Sequence, residues 1–346
     1  MNVLIAGDFC PQHRVASLFD NRCFSTVLDN VKPLIERADY SIVNLECPVI
    51  KGKESPIVKQ GPNWSCKANG VEAIKWAGFK CVTLANNHFF DFGEEGVYNT
   101  LEACKTKGVD TVGGGQDVAS ASKTLYKEVS GKKLAVINCC EHEYSIATES
   151  HAGANPLNPI QQYYAIHEAR KIADYVLVIV HGGHEMWQLP SLRMVETYRF
   201  FIDVGADAVI NHHQHCFSGY EVYCEKPIFY GLGNFCFDKA NRRLDIWYEG
   251  LLVELCLDKQ ICFRLYPYRQ CLKEPCIKLL DEHEFDERLE ELNELIANPN
   301  KLRTATNDYY KSCANKMTTN ISPLSGRLLQ SLNHRGILPS FVTNDW

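Results

Sequence analysis

The chain has 346 residues, of which 45% are hydrophobic and 23% are charged, and its formal net charge is −6. This length suffices for one large domain with appendages or for two domains. The acidic balance argues against a nucleic-acid surface, which would be basic, and no apolar run reaches the length of a membrane span. The first residues lack the basic start and long apolar core of a signal peptide, so we expect a cytoplasmic protein.

The sequence contains 16 cysteines, which raises the question of disulfides or thiolate metal sites. Disulfide frameworks are typical of short secreted chains, and no pair of C-x-x-C motifs is present. Many of the cysteines lie in apolar runs, such as Cys81, Cys139, Cys140 and Cys256. These cysteines are therefore predicted to act as small buried hydrophobic residues.

Short apolar runs alternate with helical patterns along the first two thirds of the chain, which predicts an α/β fold. Strands are predicted at Asn2–Ala6, Tyr40–Leu45, Cys81–Ala85, Lys133–Cys140, Tyr175–Val180, Ala206–Ile210 and Lys226–Gly233. Helices are predicted at Thr26–Ala38, Gly70–Gly78, Gly93–Cys104, Pro159–Ala173 and Pro190–Gly205. The glycine run at 113–115 is not followed by Lys-Ser or Lys-Thr, so it predicts a tight turn and not a nucleotide P-loop.

Two long loops separate these elements. The loop at 50–70 carries Lys51, Lys53 and Lys59, which are expected to be solvated, although they could meet an anionic substrate. The loop at 141–158 contains His142 and His151, which could reach a neighbouring cleft.

The character of the chain changes near residue 278. The runs Ile246–Asp258 and Ile261–Leu272 predict a β-hairpin with its turn at Lys259-Gln260. The later segments have helical patterns, at Asp281–Ala297, Lys301–Ser322 and Pro323–Asn333. We therefore expect an α/β domain over residues 1–277 and a helical C-terminal extension over 278–346, which could dock a protein partner.

Potential metal ligands follow five of the predicted strands, namely Asp8, Glu46, Asn87-His88, His181 and His213-x-His215. Each is ambiguous alone, because Asp8, for example, could simply form a turn. The carboxyl ends of strands in one sheet lie together, however, so these side chains should converge. Oxygen and imidazole ligands suit Mn²⁺, Fe²⁺ or Zn²⁺. Two such ions about 3.5–4 Å apart can share one carboxylate.

Several of these stretches resemble the capsule-synthesis CapA type (poly-γ-glutamate synthesis) of the calcineurin-like metallophosphoesterase superfamily. They run in family order over residues 1–238: Gly7-Asp8; Asn44-Leu45-Glu46-Cys47-Pro48; Leu84-Ala85-Asn86-Asn87-His88 with Asp91, Gly93 and Gly96; His181-x-Gly183-x-Glu185 with Pro190; Gly205-Ala206-Asp207-x-Val209-Ile210-x-His212-His213-x-His215; and Gly231-Leu232-Gly233-Asn234-Phe235. The resemblance implies a four-layer α/β/β/α sandwich with two divalent metal ions at the strand ends.

The resemblance also implies roles for the ligands. Glu46 takes the place of the bridging aspartate of the superfamily. One metal would be held by Asn87, His181 and His213, and the other by Asp8 and His215. Cys10 stands where the Asp-x-His motif of the superfamily has histidine, which leaves open a single occupied site.

Further residues are implied to surround this centre. His88 would be the general acid that protonates a leaving group, or would orient the substrate. Asp91 would orient His88 or cap the following helix. Glu185, His212 and Asn234 are expected to line the pocket, although His212 could be a surface residue and Asn234 a cap.

Three functions remain open on the sequence. The first is a metal-dependent hydrolase, in which metal-activated hydroxide attacks a phosphoester linked to capsule or poly-γ-glutamate synthesis. The second is hydrolysis of an amide or γ-glutamyl bond. The third is a non-catalytic metal-containing protein that binds polymer or an assembly partner. In each case the expected ligand is an anionic small molecule or polymer, and neither nucleic acid nor a membrane span is expected.

Overall fold

Strands and helices alternate along most of the chain, as the hydrophobic pattern predicts. The computed structural model describes residues 1–239 and 244–321, with side chains through 313 in the last helix. The strands are β1 (Asn2–Phe9), β2 (Tyr40–Leu45), β3 (Cys81–Thr83), β4 (Asp110–Val112), β5 (Gly114–Gly115), β6 (Leu125–Val129), β7 (Lys132–Cys140), β8 (Gly153–Ala154), β9 (Tyr175–His181), β10 (Ala208–His212), β11 (Tyr220–Tyr223), β12 (Lys226–Phe229), β13 (Asn234–Cys236), β14 (Glu249–Cys256), β15 (Cys262–Gln270) and β16 (Ile277–Leu279). The helices are α1 (His13–Asp20), α2 (Phe24–Leu28), α3 (Lys32–Arg37), α4 (Ala68–Ala77), α5 (Gly93–Lys107), α6 (Val118–Ala121), α7 (Pro159–Ile172), α8 (Leu192–Asp203), α9 (Asp286–Ala297) and α10 (Pro299–Ile321), with a 3₁₀ turn at Asp245–Tyr248.

Two mixed sheets form the centre of the molecule. The first has the order β16-β15-β14-β1-β2-β3-β4, and β13 also pairs with β1. Its strands β1 to β4 are parallel, whereas β14, β15 and β16 are antiparallel to their neighbours. The second sheet has the order β11-β12-β10-β9-β7-β6, with a parallel centre and antiparallel edges. A parallel centre places several carboxyl ends at one edge of each sheet.

The sheets pack face to face and helices cover their outer faces. In β1, Val3 and Ile5 belong to the core between the two sheets, whereas Leu4 and Ala6 pack beneath the helices of the first sheet. Strand β9 alternates in the same way between the inner core and the layer under α7 and α8. This alternation follows the period of two residues in a strand. The predicted four-layer α/β/β/α sandwich is therefore confirmed.

Several predicted elements differ from the structure. The predicted helix Thr26–Ala38 is two helices, α2 and α3, because Pro33 has no N–H to continue a helix and instead occupies the first turn of α3. The predicted strand Ala206–Ile210 begins only at Ala208, since the Ala206 N–H completes the end of α8 by donating to the Phe201 carbonyl at 2.9 Å.

The predicted strand Lys226–Gly233 is shorter in the structure, because β12 ends at Phe229 and the next strand, β13, begins at Asn234. Gly233 has φ +76° there, and its carbonyl lies so close to β1 that a Cβ on Gly7 would be 1.9 Å away. The close crossing of two backbones therefore requires glycine at both positions.

The glycine run at 113–115, predicted to form a tight turn, also contributes a short strand. Gly113 has φ +87°, and the next two residues form β5, which pairs with β8 inside the predicted loop at 141–158. A Cβ on Gly115 would lie 2.4 Å from the Ala121 N, so the close approach of α6 requires glycine. This small sheet ties the loop to the body of the protein.

The C-terminal segments pack on the sandwich. Strands β14 and β15 form the predicted hairpin, and β16 adds to it across residue 278. Phe285 stacks on Phe217 with ring centroids 4.7 Å apart, and Ile296 and Leu302 are buried in the core beneath α8. The predicted helix at Pro323–Asn333 lies outside the described residues, and the domain boundary at 278 stays a prediction. In the part of the chain that the structure describes, no helix has the length and apolarity to cross a membrane.

Candidate metal centre

The predicted ligands meet at the edge where the strands of both sheets end. Asp8 lies at the end of β1, Glu46 follows β2 and Asn87 follows β3, while His181 ends β9 and His213 and His215 follow β10. All six side chains are buried. The two sheets thus supply the two halves of one cluster.

The ligand atoms form two groups that share one residue. Glu46, His181 and His213 offer one set of atoms within 4.8 Å of one another, and Asp8, Glu46 and His215 offer a second set. The Asn87 Oδ1 lies 3.0 Å from the His181 Nε2. The geometry therefore divides the candidate ligands into two groups, with Glu46 common to both.

Glu46 is the most unusual carboxylate in the described part of the chain. Both of its oxygens are buried, and neither has a hydrogen-bond partner among the described residues. Its Oε1 lies 3.5 Å from the His181 Nε2 and 3.7 Å from the His215 Nε2. An ionised carboxylate without partners is costly to bury, and a divalent cation would satisfy both oxygens. The donor set of oxygens and imidazoles therefore fits Mn²⁺, Fe²⁺ or Zn²⁺.

Burial shifts the ionisation of the cluster towards neutral forms. It raises the pKa of Asp8 to about 6, although the hydrogen bond from Asn44 opposes the shift. Burial, together with the nearby charge of Asp8, raises the pKa of Glu46 well above its usual value. Burial and the neighbouring His213 hold the pKa of His181 well below its usual value. A bound cation would reverse this preference in the carboxylates.

These shifts predict a steep pH dependence of metal binding. Metal ligands must be deprotonated, and the raised pKa of Asp8 means that this carboxylate takes up a proton as the pH falls through about 6. The pKa of Glu46 is also raised, by burial first, so protonation competes with metal at this ligand too. We expect the affinity of the EDTA-treated protein for Mn²⁺ to increase from about pH 5 to about pH 7, with more than one proton released per chain. Calorimetry in two buffers of different ionisation enthalpy measures this release. Binding that does not change over this range would contradict the prediction.

Two of the candidate histidine ligands, His213 and His215, lie in left-handed backbone. His213 has φ 91° and His215 has φ 55°, a region that non-glycine residues rarely adopt and that often marks functional sites. The His213 N–H donates to the Asp8 Oδ2 at 3.3 Å. The tight turn between the two histidines therefore directs both rings to the cluster.

Two asparagines hold the ligands from neighbouring strands. Asp8 is paired in register with Asn44 of β2 and with Asn234 of β13. The Asn44 Nδ2 donates to the Asp8 Oδ1 at 2.7 Å, and the Asn234 Oδ1 lies 2.9 Å from the His215 Nδ1. Such outer partners fix the orientation of metal ligands.

Three buried, interacting side chains lie next to this cluster, namely His88, Asp91 and Lys59. The His88 Nδ1 lies 2.7 Å from the Asp91 Oδ2, and the ammonium of Lys59 pairs with Asp91 and lies 3.2 Å from the His88 Nδ1. The backbone N–H of Trp64 also donates to Asp91, at 2.7 Å. The side chains of Lys59 and Asp91 are 2% and 0% exposed, so the expectation that Lys59 is solvated is wrong. Lys51, in contrast, is exposed.

The Lys59–Asp91 pair leads to a stability prediction. Substitution Asp91→Asn leaves the buried Lys59 without its counter-ion, and breaking a buried pair in this way costs about 3–5 kcal/mol. We expect a loss of that size in the free energy of unfolding measured in urea. The control is Glu102→Gln, which breaks the exposed pair of Lys51 with Glu102 and should cost about 0–1 kcal/mol. Equal losses in the two variants would contradict the burial argument.

The remaining predicted residues lie around the cluster. His212 is buried in β10, with its Nε2 3.1 Å from the Ala6 carbonyl oxygen, and burial lowers its pKa to about 4. Glu185 is exposed on the loop after β9, and its charge contributes to the raised pKa of Glu46. Cys10 is buried in the apolar layer beneath the helices of the first sheet. Its Sγ accepts a hydrogen bond from the Gln12 Nε2 at 3.3 Å.

Asn44 and Glu143 have no assigned role in the prediction from the sequence, and the burial of Lys59 is not expected from it. Asn44 lies two residues before Glu46, on the same face of the strand, and this spacing could have identified it. The Glu143 Oε1 lies 3.8 Å from the His213 Nε2. Nothing in the sequence distinguishes Glu143 from other loop glutamates, because only the folded loop brings it there.

The sequence matches one known protein family over most of its length. Residues 2–239 match the family described as "Bacterial capsule synthesis protein PGA_cap". This match covers more than half of the sequence, and it ends before β14. The chain therefore belongs to the PGA_cap family of bacterial capsule synthesis proteins, and the resemblance noted from its motifs is confirmed.

Curated relatives show the same relationship. The "Capsule biosynthesis protein CapA" of Bacillus anthracis is 31% identical over 248 residues, which cover 69% of this chain and 60% of that protein. The "PGA biosynthesis protein CapA" of Bacillus subtilis (strain 168) is 29% identical over 243 residues, which cover 69% and 64%. The chain thus spans about three fifths of the length of these relatives.

Similarity to solved structures is more distant. A 5'-nucleotidase precursor from Thermus thermophilus aligns with a TM-score of 0.48 and 12% identity, over 86% of this chain and 58% of that chain. A hypothetical protein from the same organism aligns with a TM-score of 0.46 and 15% identity, over 77% and 99%. At these values the alignments carry no conclusion about activity.

Proposed function

We propose that the protein is a metal-dependent hydrolase that cleaves a phosphoester during the synthesis of an anionic capsule polymer such as poly-γ-glutamate. The observation that carries this proposal is Glu46, whose two buried oxygens lack partners among the described residues and which belongs to both ligand groups. The family and the names of the Bacillus relatives support the link to capsule polymer.

The proposed roles follow from the positions of the side chains. Glu46 would be shared by two cations, with Asn87, His181 and His213 holding one and Asp8 and His215 the other. When bound, such a pair lowers the pKa of water and offsets charge on the phosphoryl oxygens. Asn44 and Asn234 would keep Asp8 and His215 in place. Manganese, iron and zinc all fit this ligand set.

His88 would supply the proton for the leaving oxygen. Its Nδ1 faces Asp91 and Lys59, which leaves the Nε2 of the same ring for the substrate. Burial lowers the pKa of His88, while its contact with Asp91 opposes that shift. Asp91 thus orients the ring, and Lys59 holds Asp91 in turn.

One experiment separates this proposal from its two alternatives. The purified protein is analysed for metal, and turnover is measured with Mn²⁺ on a generic phosphodiester, a phosphomonoester and poly-γ-glutamate. Bound metal with turnover of a phosphoester is the expected result. Cleavage of poly-γ-glutamate alone would favour amide hydrolysis. Bound metal without turnover of any of the three would favour a binding or assembly role.

A further inference from the structure

A cavity of about 610 Å³ adjoins the metal centre at the carboxyl ends of β7 and β9. Its walls include Glu141 after β7, His184 after β9 and Arg193 in the first turn of α8. The Glu141 N–H donates to the carbonyl of the ligand His181 at 3.0 Å. A wall of the cavity is therefore hydrogen-bonded to the backbone of a candidate ligand, and the cavity has the volume of a small-ligand site.

The lining of the cavity combines one arginine with apolar side chains. Arg193 is exposed, and among residues 1–239 and 244–313 no carboxylate forms a salt bridge with it. Leu157, Pro159 and Met194 contribute apolar surface beside the guanidinium. A guanidinium next to an apolar wall suits a carboxylate on a short aliphatic chain. Glu141 lines the same space and its charge interacts with Arg193, which disfavours a dianionic phosphate more than a singly charged carboxylate.

One wall of this cavity comes from the C-terminal helices. The Tyr310 hydroxyl of α10 and the His184 Nε2 lie 3.1 Å apart, which is hydrogen-bonding distance. Tyr309 packs against Trp187 of the same loop, with ring centroids 4.5 Å apart. Both tyrosines lie beyond residue 239, where the family match ends. The extension thus completes a space that the family domain leaves open on this side.

We propose that this cavity is a subsite for a carboxylate-bearing aliphatic segment of the substrate, with Arg193 pairing the carboxylate and Tyr310 of the extension fixing the His184 wall. The inference deepens the proposed function, on which it rests, by naming the chemical group that is recognised beyond the bond to be cleaved. It also assigns α10 a role in substrate selection. A polymer of γ-linked glutamate presents such groups at every residue.

Calorimetry on the full chain after EDTA treatment tests the subsite without turnover. The probes are a γ-linked glutamate trimer and the same trimer with its α-carboxylates converted to carboxamides. The parent protein should bind the carboxylate trimer at least about tenfold more tightly than the carboxamide, since a guanidinium forms charge-assisted hydrogen bonds with a carboxylate but not with a neutral amide. Arg193→Met should remove most of that preference. Tyr310→Phe, which loses the hydroxyl at His184, should reduce it by a smaller factor.

The matched control is Arg303→Met, which removes an exposed arginine of α10 outside the cavity lining and should bind like the parent. Circular dichroism and thermal melting check that each variant is folded. Arg193→Lys keeps the charge without the planar fork, and an intermediate affinity is expected. Equal binding of the two trimers to the parent protein, or undiminished preference in Arg193→Met, overturns the subsite. Because no catalysis is measured, a failure of the hydrolase proposal gives a different result from a failure of the subsite.

Discussion

Substitution Glu46→Gln is expected to abolish stable metal binding while leaving the chain folded. Glutamine keeps the size of the side chain but removes the charge that both ligand groups share. Loss of an outer partner of a metal ligand already costs about 10–100-fold in affinity, so loss of the shared ligand should cost more than about 100-fold. Because the metal-free protein already favours the neutral form of Glu46, we expect its stability without metal to change little.

Thermal melting with and without Mn²⁺ measures this effect. Saturating metal stabilises a protein by about 2.7 kcal/mol at about 100 times Kd, and that gain should disappear in Glu46→Gln. The matched control is Glu254→Gln, in a buried glutamate of the same sheet that pairs with Arg37 and Tyr266. The control should retain the response to metal. Full metal content in Glu46→Gln would show that Glu46 is not a bridging ligand.

Substitution His88→Ala is expected to retain metal and lose turnover. General acid catalysis contributes about 10²–10⁴-fold, and His88 belongs to neither of the two groups of clustered ligands. We therefore expect kcat on a phosphodiester to fall by roughly that factor, with metal content equal to that of the parent. The loss should be smallest for a substrate whose leaving group needs no proton, such as p-nitrophenolate.

The control for this variant is His167→Ala, in an exposed histidine of α7 that stacks on Tyr163. It should match the parent in both metal content and kcat. A His88→Ala protein as active as the parent on every substrate would remove the proton-donor role. A His88→Ala protein that lost its metal would instead place His88 among the ligands.

The fold and the ligand cluster are predictable from the sequence because both depend on short, local patterns. Apolar runs end at Asp8, Glu46 and His181, and the carboxyl ends of parallel strands must lie together. Burial of each run on both faces follows from its continuous hydrophobicity. The clustering of these candidate ligands is therefore expected from the positions of the strand ends alone.

The features that could not be predicted from the sequence depend on packing between residues that are far apart in the chain. Lys51 and Lys59 look alike in one polar loop, yet Lys59 is buried against Asp91 because the loop folds back over the cluster. The contact of Tyr310 with His184 joins residues 126 positions apart. No local pattern predicts which face of a terminal helix will meet such a loop. The left-handed backbone of His213 and His215 is likewise imposed by the surrounding strands.

Glu46 is proposed to join two cations at the meeting point of the two sheets. A crystal of the Mn²⁺-soaked protein, with data collected at the manganese absorption edge, tests it most directly. We predict two anomalous peaks about 3.5–4 Å apart, both in contact with the Glu46 carboxylate, one beside His181 and His213 and the other beside Asp8 and His215. A single peak, or peaks away from Glu46, would contradict this claim.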